Sequence, residues 1–180
     1  IIFRHSVSPS DLHEYRNLGI SLWRCDQPLA ASSQLAGIKH LNRIEQVLAA
    51  NESHSSDCQD GLMMDVDGLI VETTRANVFF RKTSGDWVTP DLNSCGVSGV
   101  MRSLLIEEIF PLMGISPRIG LIKISDIEEY VELFICNSVR GIVPVVGVRQ
   151  FDNQSTSVRK IGKATRELQS MLSNNYSCFQ

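Results

Sequence analysis

The chain has 180 residues, 43% of them hydrophobic and 21% charged, with a formal net charge of −3. That length supports one domain with a real core, and the charge balance leaves no basic footprint for nucleic acid or an anionic membrane surface. No apolar run approaches the length of a membrane span, and the five cysteines and four histidines show neither CxxC pairing nor ligand spacing, so no metal site is assigned and a reducing cytosol is the expected setting.

The chain opens on "IIFRHSV", which reads as a strand entered midway and closed by Ser8-Pro9-Ser10. A strand begun in this way predicts a piece of a longer protein. "DLHEYRNLG" reads as a short helical stretch ending at Gly19, and "ISLWRCD" as a strand ended near Pro28. After the loop "LAASSQLAG", a helix is expected over about 41–50. Its apolar face is Leu41, Ile44, Val47 and Leu48, with Arg43, Glu45 and Gln46 off that face. A polar link, "NESHSSDCQD", follows.

"GLMMDVDGLIVET" predicts two strands joined at Asp67-Gly68, where glycine accepts the positive φ of a tight turn. "NVFFRKTSGDWVTP" predicts a second hairpin, turning at Ser84-Gly85-Asp86. The loop "DLNSCGVSG" leads into the helix "VMRSLLIEEIFPLMG", with Pro111 and Gly114 as its stop. Ser125 with Glu128 has the spacing of a capping box. "ELFICNS" and "GIVPVVGV" are two further strands, and "SVRKIGKATRELQSMLSNN" is a final helix with Val158, Ile161, Leu168 and Leu172 apolar. Antiparallel hairpins interspersed with helices predict an α+β fold, not a doubly wound parallel sheet.

Three places can carry chemistry. Lys39 stands in the loop at the helix entrance; such an amine is either a surface charge or, held there partly desolvated, one able to form an imine. Glu72 lies in "VETTRANVFF", where strand alternation puts Val71 and Glu72 on opposite faces. It is either the solvent face of a half-exposed strand or a buried carboxylate pairing a cation such as a protonated ring nitrogen. In "CGVSGVMR", two glycines flank Val97-Ser98 just before a helix. Ser98 either caps that helix or belongs to a turn whose free backbone N–H groups meet an anion. Together, an amine, a carboxylate and an N–H cradle are the three grips that pyridoxal phosphate requires.

Four segments, "LAGIKHLNRIEQVLA", "DVDGLIVETTRANVFF", "TPDLNSCGVSGVMR" and "FICNSVRGIVPV", occur in that order. They resemble the fold-type IV pyridoxal-phosphate enzymes, the class of branched-chain and D-amino-acid aminotransferases. Within that class the "KHLNR" form is similar to the folate-pathway 4-amino-4-deoxychorismate lyases. The resemblance implies a D-amino-acid-aminotransferase-like α+β fold, mainly its larger C-terminal domain. Residues 1–8 would be the last strand of a small N-terminal domain and 9–180 the cofactor-binding domain. It implies that Lys39 is the catalytic lysine that holds pyridoxal 5'-phosphate. Glu72 would contact the ring nitrogen, the Val97-Ser98 turn would hold the phosphate, and Asn137 would supply a second contact near it.

By the same resemblance, Asn77 matches a motif asparagine expected to brace the hairpin and not to touch the cofactor. The implied reaction turns 4-amino-4-deoxychorismate into 4-aminobenzoate and pyruvate, in a cytoplasmic homodimer with no nucleic-acid or membrane partner. In the family the small domain adds a phosphate arginine and groups for the substrate carboxylates. The rival readings are a fold-type IV aminotransferase and a non-catalytic truncated remnant.

Overall fold

The computed structural model describes residues 9–52, 57–149 and 156–179. The expected strand over 1–7 and part of the polar link, 53–56, lie outside the described residues. Helix α1 (Pro9–Leu18) ends at Gly19, whose φ of +78° suits only glycine, and strand β1 (Ile20–Arg24) follows. Next come helix α2 (Ile44–Asn51), strands β2 (Asp60–Met64) and β3 (Ile70–Thr73), and strands β4 (Asn77–Lys82) and β5 (Trp87–Pro90). A helical stretch runs through α3 (Val100–Leu104), a π-helical turn (Leu105–Ile109) and α4 (Phe110–Leu112). Strand β6 (Arg118–Gly120), a 3₁₀ turn (Ile124–Glu129) and strands β7 (Tyr130–Asn137), β8 (Gly141–Arg149) and β9 (Thr156–Val158) precede helix α5 (Lys163–Asn175).

The strands form one sheet in the order β3-β2-β1-β8-β7-β4-β5-β6, with β9 beside β8. Pairing is mixed: β1–β2, β1–β8 and β5–β6 are parallel and the other pairs antiparallel. The sheet curls until its ends touch, for Leu69 bridges Lys123 and the Ile70 N–H donates to the Ile122 carbonyl at 2.8 Å. This is the α+β architecture expected from the hairpin pattern.

Curling buries both faces of the central strands. Val78 and Phe80 of β4, with Leu133 and Ile135 of β7, point into the curl; Phe79, Phe134 and Cys136 point out to a layer built from Leu105, Phe110 and Leu168. The Phe79 and Phe134 rings stack with centroids 4.9 Å apart. Fully burying a side chain of this size contributes about 1.5–3 kcal/mol. A strand covered on both faces loses polar alternation, which is why "VFF" and "LFIC" read as unbroken apolar runs. A third cluster, Cys25, Leu29, Ala49, Met63, Val71, Leu92 and Cys95, joins α2 to the outer face of β2 and β3. That third layer carries the site.

Four local expectations are corrected. Helix α2 starts at Ile44, and its supposed core face looks outward: Leu41 is 102% exposed, and Ile44, Val47 and Leu48 are also exposed, while Ala49 is buried. Periodicity reveals that an apolar stripe exists, not what covers it. Pro111 does not stop its helix. The preceding turn is π-helical, with the Phe110 N–H bonded to the Leu105 carbonyl, and that shift in the ladder accommodates a residue lacking an N–H. The chain leaves the helix only at Gly114, with φ +70°.

The Ser125 capping box does not form, because Lys123 is the N-cap and the Ser125 hydroxyl bonds Asp126 at 2.6 Å. The last helix begins at Lys163, since Val158 instead pairs with Gly147 in the sheet. Its first turn is capped from β7: Glu132 Oε2 accepts the Thr165 N–H at 2.8 Å and the Thr165 hydroxyl at 2.7 Å, while Oε1 meets Arg81 at 3.2 Å. Gly162 is required there, because a Cβ would fall 1.8 Å from the Glu132 carboxyl carbon.

Candidate active site

The site gathers around the turn at 96–99. Gly96 has φ +85°, and a Cβ there would lie 2.6 Å from Val71 and 2.9 Å from Leu92, so the turn packs hard against β3. Strand β3 meets it through an irregularity. Met63 pairs with Glu72 but Met64 pairs with Ile70, which leaves Val71 as an extra, bulged residue. The bulge corrects the alternation expected from sequence: Val71 and Glu72 both reach the 96–97 turn instead of taking opposite faces.

Glu72 is therefore buried, with 3% exposure. Its Oε2 accepts the Val97 N–H at 2.8 Å, which fixes the carboxylate plane. Its Oε1 lies 3.7 Å from the Arg43 guanidinium, too far for a hydrogen bond, and is a buried acceptor with no hydrogen-bond partner. Burial pushes the carboxyl above the usual carboxylate range; the Val97 N–H, Arg43, Gln46 and Lys39 pull it back without cancelling the shift. Of the two readings of Glu72, the structure selects the buried carboxylate.

The segment bearing Lys39 is zipped along the same turn. The Ser32 N–H donates to the Ser94 carbonyl at 2.8 Å, the Gly37 N–H to the Gly96 carbonyl at 2.9 Å, and the Ser98 N–H to the Gly37 carbonyl at 3.0 Å. Lys39 follows two residues later, exposed, with no partner for its amine among the described residues. Of the two readings of Lys39, its position is that of a surface charge, yet it is near enough for that charge to act on Glu72. A cavity of about 190 Å³ lies alongside, walled by Leu29, Leu35, His40, Arg43, Gln46 and Cys95. Burial, with Asp65, Glu72 and Glu45 nearby, pushes the Cys95 thiol up to about 11, so it stays protonated and unreactive at neutral pH.

The expected cradle of free N–H groups is also corrected. The Val97 N–H goes to Glu72, the Ser98 N–H to Gly37 and the Gly99 N–H to Asn77 at 3.1 Å. These three N–H groups are consumed by docking the turn against its neighbours, and the Ser98 hydroxyl is exposed and without a partner among the described residues. Ser98 does not cap α3, whose N-cap is Gly99.

Asn137 ends β7, where its Oδ1 accepts the N–H groups of Val139 and Arg140 at 3.0 and 2.8 Å and its Nδ2 donates to the Arg75 carbonyl at 3.3 Å. Its side chain shapes the β7–β8 turn. Asn77, opposite Cys136 in β4, braces not its own hairpin but the 97–99 turn. Arg43 and Asn77 were missed as site residues because each reaches a partner more than twenty positions away.

The acceptor left open at Glu72 Oε1 matches a protonated ring nitrogen, Lys39 supplies a free amine and Ser98 a hydroxyl. The residues present fit pyridoxal phosphate. Among the described residues, no helix is long and apolar enough to cross a membrane.

Comparison with known proteins identifies the family. The model of the amino-transferase class IV family matches residues 2–148. An aminodeoxychorismate lyase of Vibrio harveyi is 35% identical over 164 residues, covering 91% of this chain and 59% of that protein. A crystal structure of 4-amino-4-deoxychorismate lyase from Pseudomonas aeruginosa superimposes with a TM-score of 0.81 at 37% identity, over 91% of this chain and 58% of that one. An aminotransferase from Brucella abortus, bound to the cofactor PLP, shares the fold at 19% identity with a TM-score of 0.71, over 87% of this chain and 54% of that one. The chain thus spans somewhat under three-fifths of the length of the two lyases.

Proposed function

The chain belongs to the amino-transferase class IV family, and from that premise we propose that its protein is a pyridoxal 5'-phosphate-dependent lyase converting 4-amino-4-deoxychorismate to 4-aminobenzoate and pyruvate, a step of folate biosynthesis. Residues 9–180 are the cofactor-carrying domain in this reading. The observation that carries it is the buried Glu72 Oε1, ion-paired with Arg43 but without a hydrogen-bond partner, within reach of the charge of the exposed Lys39 amine, in a chain 35–37% identical to two aminodeoxychorismate lyases. The protein is cytoplasmic, for which its five free cysteines are suited, and a homodimer as in the family it resembles.

When bound, pyridoxal phosphate supplies an electron sink for charge that develops on the carbon bearing the substrate nitrogen. Glu72 Oε1 would hold the ring-nitrogen proton in place, and the Val97 N–H on Oε2 keeps the carboxylate from rotating away. Lys39 Nζ would hold the cofactor and would serve as the base for the proton on that carbon. The Ser98 hydroxyl would donate to the phosphate, and Asn137 would contribute by fixing the neighbouring turn. Release of pyruvate aromatises the remaining ring, a driving force the protein need not supply.

The test uses borohydride and pyridoxal phosphate on the purified protein, followed by peptide mapping and an assay for 4-aminobenzoate. Covalent label on Lys39 and product from 4-amino-4-deoxychorismate are expected. Label on Lys82, Lys123, Lys160 or Lys163 instead would end the assignment. Amino transfer to a 2-oxo acid without 4-aminobenzoate would make the protein an aminotransferase.

A further inference from the structure

Building on that reading, we propose that Asn77 is a positioning residue for the phosphate end of the cofactor. It acts by clamping both sides of Ser98. Its Nδ2 donates to the Val97 carbonyl at 2.7 Å, and its Oδ1 accepts the Gly99 N–H at 3.1 Å. One planar amide thus spans the turn, satisfying the acceptor before Ser98 and the donor after it. With the Ser98 N–H already bonded to Gly37, the backbone around this exposed residue is held at three points.

The clamp is rooted in rigid structure. Asn77 is 5% exposed and is the first residue of β4, paired with Cys136 of β7. Gly99 is shaped to receive it, because a Cβ at that position would stand 2.3 Å from Asn77 Oδ1. Such a contact cannot be relieved by a flexible tip, since the Asn77 amide is short and buried. The same end of β4 and β7 carries the Asn137 turn, so both elements assigned to the phosphate are braced by a buried or half-buried asparagine. Because Gly37 is bonded on either side of Val97, the clamp also fixes the segment that leads to Lys39.

A purely structural asparagine would affect every ligand alike, whereas a phosphate-positioning one would act only when phosphate is present. The experiment compares equilibrium binding of pyridoxal 5'-phosphate and of pyridoxal, followed by tryptophan fluorescence, in wild type, Asn77→Ala and Gly99→Ala. Losing the clamp should weaken the phosphorylated ligand about tenfold, equivalent to one to two ordinary hydrogen bonds. Pyridoxal should change less than about threefold, and its borohydride fixation at Lys39 should persist. Gly99→Ala reaches the same clamp from the other side and serves if Asn77→Ala fails to fold.

Equal weakening of both ligands, or none, would overturn the clamp while leaving the proposed function intact. No fixation at Lys39 in the wild type would instead overturn the proposed function, and the clamp with it.

Discussion

The two halves of the site are built in opposite ways. Glu72 and the 96–99 turn are held by buried strands, a bulge, two glycines that admit close contact and hydrogen bonds to Val97, Asn77 and Gly37. Lys39 sits in the open, two residues beyond the last bridge that ties its segment down. In the proposed reaction, the groups that hold a fixed charge or shape are the preorganised ones, while the group proposed to leave one bond and take up a proton is on a short tether. Preorganisation matters most where charge develops, because dipoles fixed before the reaction need no rearrangement during it.

Substitutions can break that contrast. The largest effect is expected from Lys39→Ala, which should abolish borohydride fixation and reduce 4-aminobenzoate formation to background; retained turnover would transfer the chemistry to another amine. Glu72→Gln should preserve fixation yet slow turnover roughly 10²-fold, because a neutral amide cannot hold a pyridinium.

The same variant sharpens the electrostatics. Burial raises the Glu72 carboxyl in the folded state, so the native protein binds the proton more tightly than the unfolded chain does. Its stability contribution is fully present below the ordinary carboxylate range and is lost as pH rises through the raised value. Cofactor-free Glu72→Gln should therefore lack this decline and gain on wild type in thermal melts at neutral pH relative to acid pH. A constant difference across that window would mean Glu72 is solvated after all.

Gly96→Ala combines a φ of +85° with a Cβ 2.6 Å from Val71. It should cost about 1–3 kcal/mol of stability, seen as a lower denaturant midpoint. Leu41→Ser, at a residue 102% exposed, should change the midpoint by no more than about 0.5 kcal/mol. A larger loss would show that Leu41 is covered in the protein's working assembly.

The order of hairpins and helices was legible because turn glycines such as Gly68 and Gly85 and the apolar runs between them are local signals. Lys39, Glu72 and the Val97-Ser98 turn were legible as candidates, and the fold brings them together. Less local features were not. A bulge adds one residue to one strand, so counting by twos failed at Val71. The accommodation of Pro111 depends on a ladder shift with no residue signature. The partner of Asn77 becomes visible only once β4 and the 97–99 turn are adjacent. The outward stripe of α2 illustrates the same limit, since an amphipathic pattern specifies a face and not its neighbour.

The capping of α5 by Glu132 has a consequence for how the molecule assembles. The helix has no side-chain cap of its own, and its first turn is completed by a carboxylate that belongs to β7, 33 residues earlier in the chain. Nucleating an isolated helix of 13 residues is unfavourable in water, so α5 should not form ahead of the strand that caps it. A chain emerging from the ribosome would then close its sheet first and seal the outer aromatic layer last. Pulse-labelled hydrogen exchange during refolding would register that order as protection of β7 before α5, and Glu132→Gln would delay the second phase more than the first.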